Sequence, residues 1–312
     1  MEPALANLEV FAATLLELAR QDSDLLVVTS DSRGSAKLAP FAKAAPGQIV
    51  EVGIAEQNLV GIAAGLSAAG KNVFAVSPAC FLTARSLEQI KNDVCYSDRP
   101  VSVIGISAGV SYGALGTTHH SLHDFAVLRA IHNITIVAPA DNFETREAIK
   151  AAVALRTPIY LRFGKKTMPH LPRVVPGFQF GKASLVRPGK DISFIACGET
   201  VAPALAAAEL LAGDGIECRV ISMHTIKPLD EKAVLEAATE TRGVITVEEH
   251  SIHGGLGEAC ASLLVQSGAQ TRFKIVGFPD AHTVNGSQPE IFQHYGIDGP
   301  GLAATAKKLI AE

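Results

Sequence analysis

The chain contains no tryptophan, and only 5 % of its 312 residues are aromatic. A groove that binds sugars by stacking them on aromatic rings is therefore not expected from this chain alone. No apolar run reaches the length of a membrane span, and the N-terminal MEPALANLEV lacks the basic and apolar regions of a signal peptide. A formal net charge of -4 provides no basic surface for nucleic acid. We expect a cytoplasmic protein that binds neither nucleic acid nor membrane.

Five cysteines are scattered along the chain without a C-x-x-C pair. This spacing is typical of reduced thiols and predicts no metal site. The chain also lacks the G-x-G-x-x-G, Walker and G-x-S-x-G motifs, so the common nucleotide-binding and serine-hydrolase patterns are not indicated. The 48 % hydrophobic content is sufficient for a sizeable core in one or two domains.

Short apolar segments rich in β-formers alternate with helical patterns along the whole chain. The segments predicted as strands are 24–30, 48–52, 72–77, 100–107, 134–139, 158–163, 192–198, 216–222, 243–249 and 273–278. The segments predicted as helices are 7–20, 55–69, 82–96, 122–130, 142–155, 200–212, 229–238, 255–266 and 299–311. The alternation predicts the α/β class, with a doubly wound, mostly parallel sheet followed by a smaller α/β unit. Because 167–190 is rich in proline, we interpret it as a linker between domains 1–166 and 191–312.

Glu56 is the most informative residue. It lies in VGIAEQN, at the start of a predicted helix made largely of Gly and Ala, and a surface of small residues lets another backbone approach closely. Buried glutamate is rare without a partner. The residue is therefore either a charge partner of the helix N-terminus or a group that takes part in catalysis.

The Gly-rich loop 109–124 follows a predicted parallel strand at its carboxyl end, where α/β folds place ligands. Its histidines are His119, His120 and His123. Three interpretations remain open at this point: a helix cap by Thr118 or Ser121 with solvated histidines, a metal site of His119, His123 and Asp124, or a catalytic or substrate-binding histidine.

Other candidates carry a weaker signal. Arg33 and Ser35 lie in a loop after the first strand, which either holds polar substrate groups or is an ordinary turn. Arg162 ends a strand where an anion could bind or where the arginine is structural, and Phe81 fits core packing first. The turn 248–259 resembles a phosphate-binding loop, although support of an interface with the first domain fits it better.

Several blocks together resemble the C-terminal half of transketolase. They are VGIAEQNLVGIAAGLS, FLTARSLEQIKN, GALGTTHHSLHDFAVLRAIHNITIVAPADNFET, PIYLRFG, IKPLD and VEEHSIHGGLGEA. The resemblance spans almost the whole chain. It implies a pyrimidine-binding domain followed by the family's C-terminal domain.

The resemblance also implies site residues. Glu56 matches the glutamate that hydrogen-bonds N1′ of the aminopyrimidine of thiamine diphosphate and so favours the tautomer that activates the cofactor. Phe81 matches one member of an aromatic set on the pyrimidine ring. His119 matches the histidine that faces the reacting carbonyl or hydroxyl and transfers a proton or stabilises an oxyanion.

The GDG…N motif, which holds Mg²⁺ and the diphosphate in full-length transketolases, does not occur here. We therefore expect one subunit of a split transketolase. A companion N-terminal chain would hold Mg²⁺ and share the thiamine diphosphate in an α2β2 heterotetramer, and this chain by itself would be inactive.

Several positions depart from the family pattern. The acidic residue that touches sugar hydroxyls is Leu115, and two phosphate-binding positions, a histidine and an arginine, are Ser107 and Leu8. The first and third aromatics of the pyrimidine set are Pro78 and Ala84. Among the substrate-binding candidates, Arg33, Ser35, His119 and Arg162 remain. These departures concern the substrate more than the mechanism.

The sequence thus predicts a thiamine-diphosphate-dependent transferase that moves a two-carbon ketol unit from a ketose to an aldose. One alternative is a subunit of a decarboxylating relative, similar to 1-deoxyxylulose-5-phosphate synthase or a 2-oxoacid dehydrogenase β subunit. Another is a non-catalytic regulatory subunit that retains only the fold and the dimer surface.

Overall fold

The computed structural model describes residues 4–311 and contains two mainly parallel sheets. The strands are β1 Leu25–Thr29, β2 Ile49–Glu51, β3 Asn72–Pro78, β4 Val101–Ile106, β5 Thr135–Val137, β6 Ile159–Phe163, β7 Ser184–Arg187, β8 Ile192–Ala196, β9 Cys218–Ser222, β10 Thr225–Lys227, β11 Gly243–Ser251 and β12 Arg272–Phe278. The first sheet has the order β10-β5-β6-β4-β3-β1-β2, and the second has the order β12-β11-β8-β9-β7. Only β10 and β7 pair antiparallel to their neighbours in these sheets.

Helices cover the sheets. They are α1 Asn7–Ala19, α2 Ala39–Ala44, α3 Glu56–Ala68, α4 Ala79–Arg85, α5 Leu87–Gln89, α6 Asp124–Arg129, α7 Asn142–Leu155, α8 Val201–Ala212, α9 Glu231–Glu240, α10 Leu256–Ser267, α11 Gln288–His294 and α12 Gly299–Ala311. Central strands such as β4 and β6 are buried at every position. This explains their almost continuous apolar sequences, since a parallel sheet is covered on both faces. The predicted α/β fold with two sheets is confirmed.

The two sheet units share one core. A single apolar cluster joins Val28 and Val103 of the first sheet with Ile195 and Val244 of the second. Strand β10 follows β9 of the second sheet in the chain but pairs antiparallel with β5 of the first sheet. The second unit therefore completes the edge of the first.

Three local predictions differ from the structure. The predicted helix 82–96 is divided, because Ser86 leaves helical geometry (φ -110°, ψ 22°) and a π-helical turn follows over Ile90–Tyr96. The segment 167–190, interpreted as a linker, contains β7, which adds an edge strand to the second sheet. The predicted strand 216–222 begins later, at Cys218.

All five cysteines are buried and free. Within residues 4–311, no helix combines the length and apolar character needed to cross a membrane.

Candidate active site

Glu56 is the first residue of α3, and its side chain is only 4 % exposed. Ala55 precedes it without any side-chain cap, so the carboxylate lies at a helix N-terminus whose amides favour negative charge. Residues 54–58 and Arg85 line a cavity of about 500 Å³ beside it. The carboxylate is thus buried at the edge of a space large enough for a ligand group.

Arg85, at the end of α4, connects Glu56 with Phe81. Its Nη1 donates to Glu56 Oε1 at 2.8 Å, and its guanidinium carbon lies 4.4 Å from the centre of the Phe81 ring. Arg85 and Phe81 also line a second cavity of about 390 Å³, together with Ala84 and residues of the Gly-rich loop 109–124. One flat cationic group therefore contacts both the buried carboxylate and the aromatic face.

His119 lies on the other side of Phe81. The two rings meet edge to face with their centres 5.3 Å apart, and Tyr112 makes a similar contact with His119 at 5.4 Å. His119 Nδ1 is 3.0 Å from Thr118 Oγ1. The structure thus places Glu56, Phe81 and His119 in one continuous region, and Arg85 and Phe81 link its two ends.

The other groups of the histidine loop have different partners. His120 Nε2 lies 2.9 Å from the Gly113 carbonyl oxygen, and burial lowers the pKa of this histidine. His123 Nε2 lies 3.2 Å from Thr83 Oγ1. No group of three His, Cys, Asp or Glu side chains that could bind a metal is found within residues 4–311.

The loop does not cap the following helix through a side chain. Helix α6 begins at Asp124, its N-cap position is His123, and no side-chain cap bond is formed there. The interpretation that Thr118 or Ser121 caps this helix is therefore wrong.

Arg162 is buried beneath the loop, away from both cavities. Its Nε donates to Asp124 Oδ2 at 2.8 Å, and its Nη2 donates to the carbonyl oxygens of Ser121 at 3.3 Å and Glu249 at 2.6 Å. Burial by itself would raise the pKa of Asp124, but Arg162 and other partners hold it below its ordinary value. The arginine is engaged in an internal ion pair, and the structure does not bring it to the region of Glu56 and His119.

Arg33 and Ser35 lie on the side of Tyr112. Arg33 Nε is 3.3 Å from Glu51 Oε2, and the arginine side chain is 42 % exposed. Ser35 Oγ donates to the Ser32 carbonyl at 3.1 Å and lies near the Tyr112 phenol, whose pKa is raised by burial. Ser35 is therefore linked through Tyr112 to His119, whereas Arg33 is paired with Glu51.

The positions that depart from the family pattern differ in their surroundings. Leu8 is 1 % exposed and belongs to the apolar core. Ser107 is fully buried, at a left-handed φ of 52°. Leu115 is 56 % exposed on the Gly-rich loop.

The turn 248–259 does not form a phosphate-binding loop. Glu248 accepts the amide hydrogens of Leu256 and Gly257 at 2.7 and 2.8 Å, so a carboxylate of the same chain caps α10. Arg129 of the first unit donates to the carbonyl oxygens of Gly254 and Gly255. The turn therefore connects the two units, as its second interpretation predicted.

Sequence reasoning did not find Arg85 or Tyr112. A signal for Arg85 was available, because it lies four residues after Phe81 and the two side chains share one helix face. Tyr112 gave no such signal, since its contact with His119 depends on the path of a loop.

Comparison with known proteins agrees with this arrangement. The family model described as "Transketolase, pyrimidine binding domain" matches residues 4–170, and "Transketolase, C-terminal domain" matches residues 181–302.

Individual relatives cover nearly the whole chain. One of the two kinds of chain in the apulose-4-phosphate transketolase of Phocaeicola vulgatus is 49 % identical over 302 residues, with 96 % of each chain covered. The 1-deoxy-D-xylulose-5-phosphate synthase 1 of Geobacter sulfurreducens is 37 % identical, covering 97 % of this chain but 48 % of that protein. A solved structure described as "Split gene transketolase, inactive beta4 tetramer" superposes with a TM-score of 0.87 at 33 % identity, covering 99 % of both chains. The chain belongs to the transketolase family, whose members are transferases, and consists of that family's pyrimidine-binding and C-terminal domains.

Proposed function

We propose that this chain is the catalytic C-terminal subunit of a two-chain transketolase, which transfers a two-carbon ketol unit from a ketose to an aldose. The observation that carries the proposal is the arrangement of Glu56, Phe81 and His119. A buried carboxylate, an aromatic face and an imidazole follow one another along two adjoining cavities.

These residues fit thiamine diphosphate. Glu56 would hold the ring nitrogen of the aminopyrimidine and Phe81 its face, and when bound the cofactor supplies the carbon nucleophile that adds to the ketose carbonyl. Arg85 supports this fit, because it is a flat group with N–H donors that already meets both partners. We infer that the aminopyrimidine takes the place of this guanidinium, so that the Glu56–Arg85 pair opens when the cofactor binds.

His119 is the group that would act on the substrate. Its imidazole lies beyond Phe81 and is held between two aromatic edges. A fixed, half-buried imidazole next to the reacting carbon can accept or return a hydroxyl proton and donate a hydrogen bond to a developing oxyanion. Tyr112 and Ser35 extend this side of the site and are the neighbouring groups that could meet substrate hydroxyls.

The enzyme would be active only with a companion chain that holds Mg²⁺ and the diphosphate, in an α2β2 assembly. The relative named as one subunit of a transketolase and the neighbour described as a split-gene transketolase support this. Ile54, which is 73 % exposed beside Glu56, supports it as well, since a large apolar side chain at the rim of a site favours a covering partner. Five buried free thiols agree with a reducing compartment such as the cytoplasm.

The experiment is reconstitution with a candidate companion chain, thiamine diphosphate and Mg²⁺ against a panel of ketoses. Apulose 4-phosphate is the first donor to test, because the relative from Phocaeicola vulgatus is named for it. Glu56→Gln should abolish turnover while the complex still assembles, whereas Glu88→Gln, at an exposed acidic residue, should retain activity. Full activity of Glu56→Gln, or ketose turnover by this chain without its companion, would contradict the proposal.

A decarboxylating activity is the second candidate. It is favoured by the 37 % identity to half of a 1-deoxy-D-xylulose-5-phosphate synthase. Release of CO₂ from pyruvate by the reconstituted complex, without turnover of any ketose, would identify this activity instead. A non-catalytic role fits less well, because Glu56, Phe81 and His119 keep a joint arrangement that a purely structural subunit would not require.

A further inference from the structure

The loop that carries His119 is closed at its base by groups from both units. Ser121 N–H donates to the Gly109 carbonyl at 2.8 Å, which joins the two ends of the loop. Arg162 Nη2 then donates to the Ser121 carbonyl and to the carbonyl of Glu249, a residue of β11 in the second sheet. The end of the loop is thus held by the first unit and the backbone of the second.

The start of the loop is held by the Glu249 carboxyl group. Its Oε1 accepts the Val110 N–H at 2.9 Å. Gly109 has a φ of 60°, and a Cβ at this position would lie 2.1 Å from the carboxyl carbon of Glu249. The carboxyl group therefore fills the space left by the absence of a side chain at Gly109, and only glycine allows this contact.

Gln288 of α11 fixes the carboxyl group from below. Its Nε2 donates to Glu249 Oε1 at 2.6 Å and also to Glu199 Oε2. The loop contacts the second unit again at Gly113, where a Cβ would lie 2.5 Å from the Gly286 carbonyl oxygen. Two segments of the C-terminal domain thus determine the path of the loop.

The charges around Glu249 come from three directions. Glu199 faces it across Gln288, Arg162 Nη1 lies 3.9 Å from its Oε2, and Lys166 is the nearest further cation. Burial, followed by the Glu199 charge, raises the pKa of Glu249 to about 8. The two buried carboxyl groups therefore retain a proton near neutral pH and acquire a second negative charge only in alkaline solution.

We propose that Glu249 is a positioning residue for His119, through which the C-terminal domain fixes the loop that presents the imidazole to the substrate. The catalytic part of this inference rests on the proposed function, because it requires that His119 acts on the substrate. The mechanical part does not, since it concerns only the path of residues 109–121.

The test compares Glu249→Ala, Glu249→Gln and Gly109→Ala in the complex with its companion chain. Glu249→Ala and Gly109→Ala should lower kcat at least about tenfold, because a displacement near 1 Å is costly to catalysis. The KM for the ketose and the Kd for thiamine diphosphate should change less than about twofold in both variants. Backbone hydrogen exchange over 108–121 should become faster in both.

Glu249→Gln keeps an oxygen acceptor for Val110 but cannot ionise. It should therefore preserve slow exchange and most of kcat, while the decrease of kcat above about pH 8 in the wild type should disappear. Gly268→Ala is the matched control: Gly268 also has a left-handed φ, of 74°, but nothing lies within 4 Å of the added Cβ. This control should retain wild-type kcat and exchange over 108–121.

Unchanged kcat and unchanged exchange in Glu249→Ala would overturn the proposal. Faster exchange with unchanged kcat would overturn its catalytic part. A wild-type complex without ketose activity would refute the proposed function, while the exchange rates would still decide whether Glu249 holds the loop.

Discussion

Replacing Arg85 should strengthen cofactor binding. In the structure its guanidinium contacts both Glu56 and Phe81, the two groups assigned to the aminopyrimidine. If the cofactor takes this place, part of its binding free energy is spent on separating Arg85 from them. Arg85→Met removes the ion pair and the cation–π contact but keeps a flexible apolar side chain.

The expected size follows from exposure. Glu56 is buried, but the Arg85 side chain is 48 % exposed, so solvent weakens the pair. An ion pair of this kind contributes about 0.5–1 kcal/mol, and an exposed cation–π contact adds about 0.5–1 kcal/mol. Together they correspond to a decrease of about 5- to 30-fold in the Kd for thiamine diphosphate in Arg85→Met.

Isothermal titration calorimetry of the two-chain complex measures this Kd. Lys150→Met is a suitable control, because Lys150 forms an exposed ion pair with Glu147 on α7 and its side chain is 45 % exposed. Arg85→Lys should give an intermediate Kd, since it keeps the charge but loses the planar contact with Phe81. A weaker affinity in Arg85→Met would refute the exchange and would mean that Arg85 helps to hold the cofactor.

Two further predictions concern catalysis and stability. His119→Ala should lower kcat about 100-fold or more with an unchanged cofactor Kd, as steady-state kinetics and calorimetry would show; equal kcat would exclude a proton-transfer role. Burial, followed by the Asp141 charge, raises the pKa of Glu144 to about 7, so its contribution to the free energy of unfolding is lost as the pH rises from about 5 to 8. Urea unfolding at both pH values should show this loss, on the order of 2–3 kcal/mol, in the wild type and in the exposed control Glu147→Gln but not in Glu144→Gln. An equal loss in all three proteins would assign it to other groups.

The sequence was sufficient to predict the alternation of strands and helices, because parallel strands such as β4 are apolar throughout and are separated by amphipathic segments. It could not predict β10, whose three residues form a strand only because β5 offers a free edge. It also could not predict the break at Ser86, where a local hydrogen bond to the Leu82 carbonyl competes with the helix.

For the site, residue types gave part of the answer. Glu56 was identifiable because a carboxylate among small residues is unusual, and the structure does bury it at a cavity. The surroundings of Arg162 were not identifiable, because Asp124 and Glu249 are distant in sequence and meet it only in the folded chain. The same holds for Glu249 beneath Gly109, which depends on how the two units pack.

Strand β10 has a consequence for building chimaeras from this chain. A fragment that ended before residue 225 would leave the edge of β5 without the strand that normally covers it. Unpaired sheet edges are templates for association with other chains, so such a fragment should precipitate or form domain-swapped oligomers. Exchange of the C-terminal domain between relatives therefore has to preserve the fit of three residues, Thr225–Lys227, against a strand in the other half of the molecule.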